Sequence, residues 1–248
     1  MVAPLRLFSL CGLLLAFALN LHATTKLDEP MPVLRTGFVE FPPFKYADES
    51  GEASGPWVEM TELVAAEAGY RIEWIHLPIA RVYLYLREGR IDLWPGVADI
   101  PDLRGHVHES TVTPMRVSLY AFHQRGTKSP KSLKDLSGAP LILISGFTYL
   151  GALESGDLYE EDLSYAPDHR AALRMLELGR GQYVLDYDEP VAAVKDRFPG
   201  LDLTGSPIYE ARGAFVVSAA RPDARDLARK FDEAYEALVK QGRVNSLQ

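Results

Sequence analysis

Two groups of side chains in this sequence have types and spacings that could do chemistry. His106-x-His108, followed at once by Glu109, would put two imidazoles on one face of a strand, as a metal site begins. A zinc centre needs a third ligand at a matching spacing; none follows, so solvated histidines account for the pattern. Gly146-Phe-Thr148-Tyr149 follows an apolar run and opens a helical segment, so its backbone N–H groups and the Thr148 hydroxyl can face an anionic group. A capped helix start explains the same residues equally well, and both readings stay open. There is no G-x-S-x-G elbow, Walker loop, dinucleotide glycine pattern or zinc signature, so neither metal nor cofactor is expected.

The elements that must position these groups can be read from periodicity. Residues 33–39 are apolar and β-prone, and Phe41-Pro-Pro-Phe44 ends them because neither proline can donate to a ladder. Met60, Leu63, Val64 and Ala68 recur at helical spacing, residues 71–75 read as a strand, 80–87 as a helix and 91–94 as a buried strand. This β-α-β-α-β order predicts a mostly parallel sheet with helices on its faces. A second series follows an extended run at 115–123. It comprises a strand at 141–144, a helix at 169–178, a strand at 182–187, and a helix over 189–198 capped by Asp188 with Pro190 in its first turn. The chain then returns through an extended run at 213–218. Its closing helix puts Leu227, Phe231, Tyr235, Leu238 and Val239 on one face. Crossing into a second lobe and coming back makes a hinge, and the cleft between lobes is a favoured ligand site.

The first 23 residues read as a secretory signal peptide: Arg6, an uncharged apolar run at 7–21, and Ala23 at the exit. The run is short for a membrane span. Cys11, the single cysteine, lies inside it, so the exported chain is expected to have no internal disulfide. Apolar residues make up 47% of the sequence, which argues against disorder. The net charge of −8 becomes −9 once Arg6 leaves with the signal, arguing against nucleic acid and anionic membranes as partners.

The whole exported chain resembles the bacterial extracellular solute-binding proteins of family 3, the periplasmic receptors of ABC importers. The resemblance rests on Phe41-Pro-Pro-Phe44, the turn at 51–55, Gly89-Arg-Ile-Asp92, Pro101-Asp-Leu-Arg104, Gly146-Phe-Thr-Tyr149, Leu178-Gly-Arg-Gly-Gln182 and Gly242-Arg-Val-Asn-Ser-Leu247 in register. It implies an α/β, two-lobe periplasmic-binding-protein fold of type II, each lobe a mostly parallel sheet flanked by helices. Lobe 1 would be residues 24–119 plus 217–248 and lobe 2 residues 120–216, joined by two crossing strands. It further implies a monomer that captures a small ligand, an amino acid or related carboxylate, for a membrane ABC permease.

The resemblance also carries site residues. Phe41 would pack on the ligand and Arg104 would grip a carboxylate, for which a planar guanidinium fork is well suited. Arg81 would lie near the cleft mouth, and Thr148 would add a donor from the second lobe. Departures are plain. Asp99 stands where the family uses serine or threonine, and Trp94-Pro95 where small residues are common. The family's ammonium-binding aspartate falls opposite Tyr187, flanked by Asp186 and Asp188, of which Asp186 is the favoured substitute. Two other functions fit the same fold: a periplasmic dehydratase of the cyclohexadienyl type, with Glu210 or Asp99 as its acid, or a ligand-sensing module without transport.

Overall fold

Residues 30–147, 149 and 158–247 are described by a computed structural model. The expected signal segment, Thr148 and most of the segment at 149–154 therefore lie outside the described residues. The first series forms much as its periodicity predicts: β1 (Val33–Phe38), a short hairpin of β2 (Tyr46–Ala47) and β3 (Ala53–Ser54), α1 (Pro56–Glu67), β4 (Arg71–His76), α2 (Ile79–Glu88) and β5 (Leu93–Val97). Next come β6 (Val107–Glu109), β7 (Met115–Gln124), β8 (Leu141–Ile144), β9 (Leu163–Ala166), α3 (His169–Glu177), β10 (Tyr183–Tyr187) and α4 (Asp188–Val194). β11 (Leu203–Ser218) and α5 (Ala224–Lys240) close the chain. No described helix is long and apolar enough to cross a membrane.

The strands run in the order β4-β1-β5-β11-β7-β10-β8-β9, with β6 against β11. β1 is parallel to β4 and β5, and β8 is parallel to β9 and β10. Between these parallel halves lie β11 and β7, antiparallel to each other, and each also antiparallel to the half beside it. All four residues of β8 are buried and apolar, as a parallel strand covered on both faces requires. Beneath the first half, Leu227, Phe231, Tyr235 and Leu238 of α5 pack with Phe215 and Val217. Each such side chain contributes about 1.5–3 kcal/mol when fully buried.

The structure corrects four expectations. β11 begins ten residues before the expected 213, because residues 203–213 pair along β7 and carry the sheet across both halves. Val239 is 43% exposed, since it lies just past the edge of the stripe that α5 presents to the core. Asp188 does not cap α4: Tyr187 holds that position without a side-chain cap, Asp188 sits in the first turn, and after Val194 the helix tightens into a 3-10 turn. Finally, β5 runs through Pro95. Its bridge to β1 is at Leu93 alone, so the proline's missing N–H falls on a side of the strand where the ladder has already ended, while Pro95 faces Phe215 of β11.

Candidate functional site

The carboxyl ends of β1, β4, β5, β8 and β10 converge, which is where open α/β sheets place their ligands. β1 leads into Phe41-Pro-Pro-Phe44, and the chain doubles back there. Phe41 N–H donates to the Lys45 carbonyl at 2.7 Å and Lys45 N–H to the Phe41 carbonyl at 3.0 Å. Trp57 N–H, at the start of α1, donates to the Phe44 carbonyl at 2.9 Å and pins the turn to the helix. Lys45 is thereby driven inward and left 1% exposed. Its Nζ donates to the Pro95 carbonyl at 2.7 Å and lies 4.6 Å from the Trp57 ring centroid and 5.8 Å from that of Trp94. Burial draws its pKa down to about 7.

Trp94 folds back over Gly96 so closely that a Cβ there would sit 2.0 Å from the indole, so only glycine permits this ring position. The ring meets Tyr83 edge-on at 5.5 Å. Phe41 meets Tyr187 edge-on at 5.2 Å, and Phe147 approaches the other side of Tyr187 at 6.0 Å. These side chains surround an inner cavity of about 40 Å³, whose walls also include Val39, Ile79, Ile100 and Tyr149. One water needs roughly 10–15 Å³ by this measure, so an amino acid enters only if the walls part. The indole N–H groups of Trp57 and Trp94 are buried with no hydrogen-bond partner among the described residues.

An outer cavity of about 320 Å³ shares Val39, Ile79 and Phe147 with the inner one. Its walls carry charge: Glu40 and His76, 3.3 Å apart, face Asp168 and His169. His169 opens α3, with Asp168 as N-cap accepting from Ala171 N–H. Its Nδ1 lies 2.7 Å from Oδ2 of Asp186, which is fully buried and whose Oδ1 accepts from Tyr187 N–H at 2.8 Å. Burial lowers the His169 pKa, but the Asp186 hydrogen bond and charge, helped by Asp168 and Glu40, outweigh it and leave the imidazole above its ordinary value. Burial raises the Asp186 pKa, with His169 opposing.

Of the residues singled out in the sequence, Phe41 lines the inner cavity and Asp186 lies behind Tyr187, held by His169 rather than lining the cavity. Arg81 is exposed in the first turn of α2, whose Ile79 and Tyr83 are the residues that reach the wall. Arg104 is exposed and lines a neighbouring depression with Asp99 and Glu109, which meets the inner cavity through Ile100. Asp99 sits there in a left-handed turn, 3.8 Å from Arg212. Thr148 lies outside the described residues. Glu210, weighed as a dehydratase acid, pairs with Arg116 at 2.6 Å.

Lys45 and Trp57 carry no motif that marks them in the sequence as parts of this site. A lysine directly after Phe41-Pro-Pro-Phe44, followed twelve residues on by a tryptophan, is the available signal. Tyr187 was found only as the place where an aspartate was missing, and His169 only as a helix start.

Known proteins resemble this chain over nearly all of its length. Residues 34–248 match the sequence model of the bacterial extracellular solute-binding proteins, family 3. A probable amino-acid-binding protein of Bacillus subtilis (strain 168), YxeM, is 26% identical over 249 residues, covering 99% of this chain and 90% of that protein. A histidine kinase sensor domain with similarity to periplasmic binding proteins superposes with a TM-score of 0.72 at 24% identity, over 86% of this chain and 92% of that one. An ancestral arginine-binding protein bound to arginine superposes at 0.67 and 20% identity, over 87% and 96%. The fold is thus the two-lobe α/β architecture of type II periplasmic binding proteins.

Proposed function

This chain belongs to the bacterial extracellular solute-binding proteins of family 3, and from that premise we propose that it is a periplasmic receptor capturing an amino acid or related carboxylate for an ABC importer. The observation that carries this reading is the inner cavity. It lies at the carboxyl ends of strands from both halves of the sheet and is walled by aromatic rings, among them Phe41 and Tyr187 in edge-on contact. The lobes would be residues 24–119 with 217–248, and residues 120–216, hinged at β7 and β11. Phe41 packs on the solute in this reading. Arg81, Asp99 and Arg104 meet it at the rim upon closure, Thr148 is the further donor that the family resemblance implies, and Asp186 acts through His169 and Tyr187. The two acids weighed for a dehydratase stand elsewhere, Glu210 paired with Arg116 and Asp99 in the neighbouring depression, which favours binding over turnover.

The test is a thermal-shift screen of protein stripped by unfolding and refolding, against the twenty L-amino acids, acetate, succinate and putrescine. A solute at about one hundred times its dissociation constant adds roughly 2.7 kcal/mol of stability, which for a chain this size raises the midpoint by roughly 5–11 °C. Import of that solute should slow in cells lacking the protein. A flat screen would contradict the reading.

Export supplies a separate expectation. Protein recovered from the periplasm should begin at or near Thr24 by mass spectrometry, as the apolar run at 7–21 and Ala23 require. An intact Met1 on cytoplasmic protein would remove the periplasmic assignment.

A further inference from the structure

We propose that Lys45 is the anion-binding residue of the inner cavity: a carboxylate of the solute enters beside the Trp57 and Trp94 rings and accepts a hydrogen bond from Lys45 Nζ. The inference rests on the solute-binding reading above and names the chemistry its ligand must carry. Three facts support it. An ammonium offers three donors, and one of them is taken, by the Pro95 carbonyl. Two more buried donors, the indole N–H groups of Trp57 and Trp94, belong to walls of the same cavity and lack an acceptor among the described residues. No described aspartate or glutamate lines that cavity, so among the described residues donors stand beside it with no carboxylate to receive them.

The energetics favour the same partner. A charge enclosed by hydrocarbon and aromatic rings is costly without a counter-ion, and a carbonyl with two ring faces compensates it in part. A carboxylate arriving in this low-dielectric space interacts far more strongly with Lys45 than it would with an exposed cation. Arg104, on the surface with Asp99 and Glu109 beside it, offers less. A cationic solute group would meet repulsion at the same point.

The pH dependence follows with a definite sign. Lys45 loses its proton near pH 7 in the solute-free protein because of burial, and a bound carboxylate holds that proton on. Affinity should be level below about pH 7 and fall as pH rises above it, with proton uptake on binding. The other titratable groups facing this point are the phenols of Tyr83, Tyr149 and Tyr187; burial pushes those of Tyr149 and Tyr187 upward, out of this range. Behind Tyr187, the His169–Asp186 pair also titrates, and a Lys45 variant retains it as an internal control.

The experiment titrates parent, Lys45→Met and Lys45→Gln calorimetrically with every compound that shifts in the screen, each acid beside its primary amide (L-argininamide for L-arginine, acetamide for acetate). Removing one partner of a desolvated charge pair costs roughly thirtyfold or more in affinity. The parent should therefore prefer acid to amide by at least that factor. Lys45→Met should lose the preference, the proton uptake and the fall above pH 7, while its thermal midpoint equals or exceeds the parent's. Lys45→Gln, a neutral donor, should fall between. If acids bind and Lys45→Met binds them as tightly, or if amides bind as well as acids, the anion site is wrong and the receptor reading stands. Binding of putrescine alone would overturn the anion site and the carboxylate in the receptor reading together, leaving a receptor for cationic solutes. If nothing binds, both are overturned. Should Lys45→Met unfold, Lys45→Gln and the acid-to-amide ratio of the parent decide the matter.

Discussion

Asp186→Ala is expected to lower the stability of the folded protein by about 3–5 kcal/mol, the usual consequence of removing one partner from a buried charged pair. For a chain of this size that lowers the thermal midpoint by roughly 6–20 °C. Asp186 is fully exchanged from water into protein contacts: His169 Nδ1 on one oxygen, Tyr187 N–H on the other. Truncation leaves a buried Tyr187 N–H and a half-buried His169 imidazole without their acceptor. Asp186→Asn keeps the shape and one acceptor oxygen, so it should lose less. The loss measures the orphaned partners and not the net worth of the pair, which an apolar replacement of both residues could match.

The pair also fixes a pH signature. His169 has its pKa raised in the folded state, through Asp186 against the opposing effect of burial, from an ordinary value of 6.5. Its contribution is therefore complete below about pH 6.5 and lost as pH rises through the elevated value. In Asp186→Ala the half-buried imidazole has no carboxylate to hold its proton, so the variant does not share this loss. The gap in midpoint between parent and variant should be widest in mildly acidic solution and narrow above pH 6.5. A gap that widens with pH would mean that the imidazole is neutral throughout.

Strands and helices were legible because burial imposes its period on neighbouring residues: Leu227, Phe231, Tyr235 and Leu238 announce the covered face of α5, and the apolar run of β8 announces a strand covered twice. Local signals also marked the Phe41 turn, since two prolines cannot continue a ladder. What the sequence concealed was long-range. Nothing near Lys45 says that its carbonyl acceptor stands fifty residues away on Pro95, or that Trp57 and Trp94 will flank it. A lysine in isolation reads as a solvated surface residue, and only the doubling back of the Phe41–Lys45 turn beneath α1 makes it a buried one. Asp186 shows the converse. Its residue type invited a ligand role, while strand alternation turned its carboxylate away from the inner cavity and onto His169, seventeen residues earlier. Arg104 was drawn to the cleft by resemblance, and its surroundings are Asp99, Gly105 and Glu109 at the surface.

Solute binding should compact the protein, and this is the second large effect. The inner cavity, at about 40 Å³, admits no amino acid unless its walls separate. The two halves of the sheet are carried by the long antiparallel pair β7 and β11, and the contacts between Phe41 and Tyr187, and between Gly146 and Ile79, lie where they meet. A solute touched by both halves stabilises the closed arrangement selectively, so it shifts the population toward closure. Gly146 reports on the same motion. Its backbone is left-handed at φ 85°, and a Cβ there would stand 2.9 Å from Ile79 Cγ2, so Gly146→Ala should oppose closure and weaken binding.

Small-angle X-ray scattering of stripped protein, with and without the compound that gives the largest thermal shift, measures this directly. In the presence of solute the radius of gyration should be near the compact value for a chain of this length, about 17 Å. Without solute it should be larger, and Gly146→Ala should stay nearer that larger value even when solute is added. A radius that is the same with and without saturating solute would contradict capture by closure of the two halves around the inner cavity.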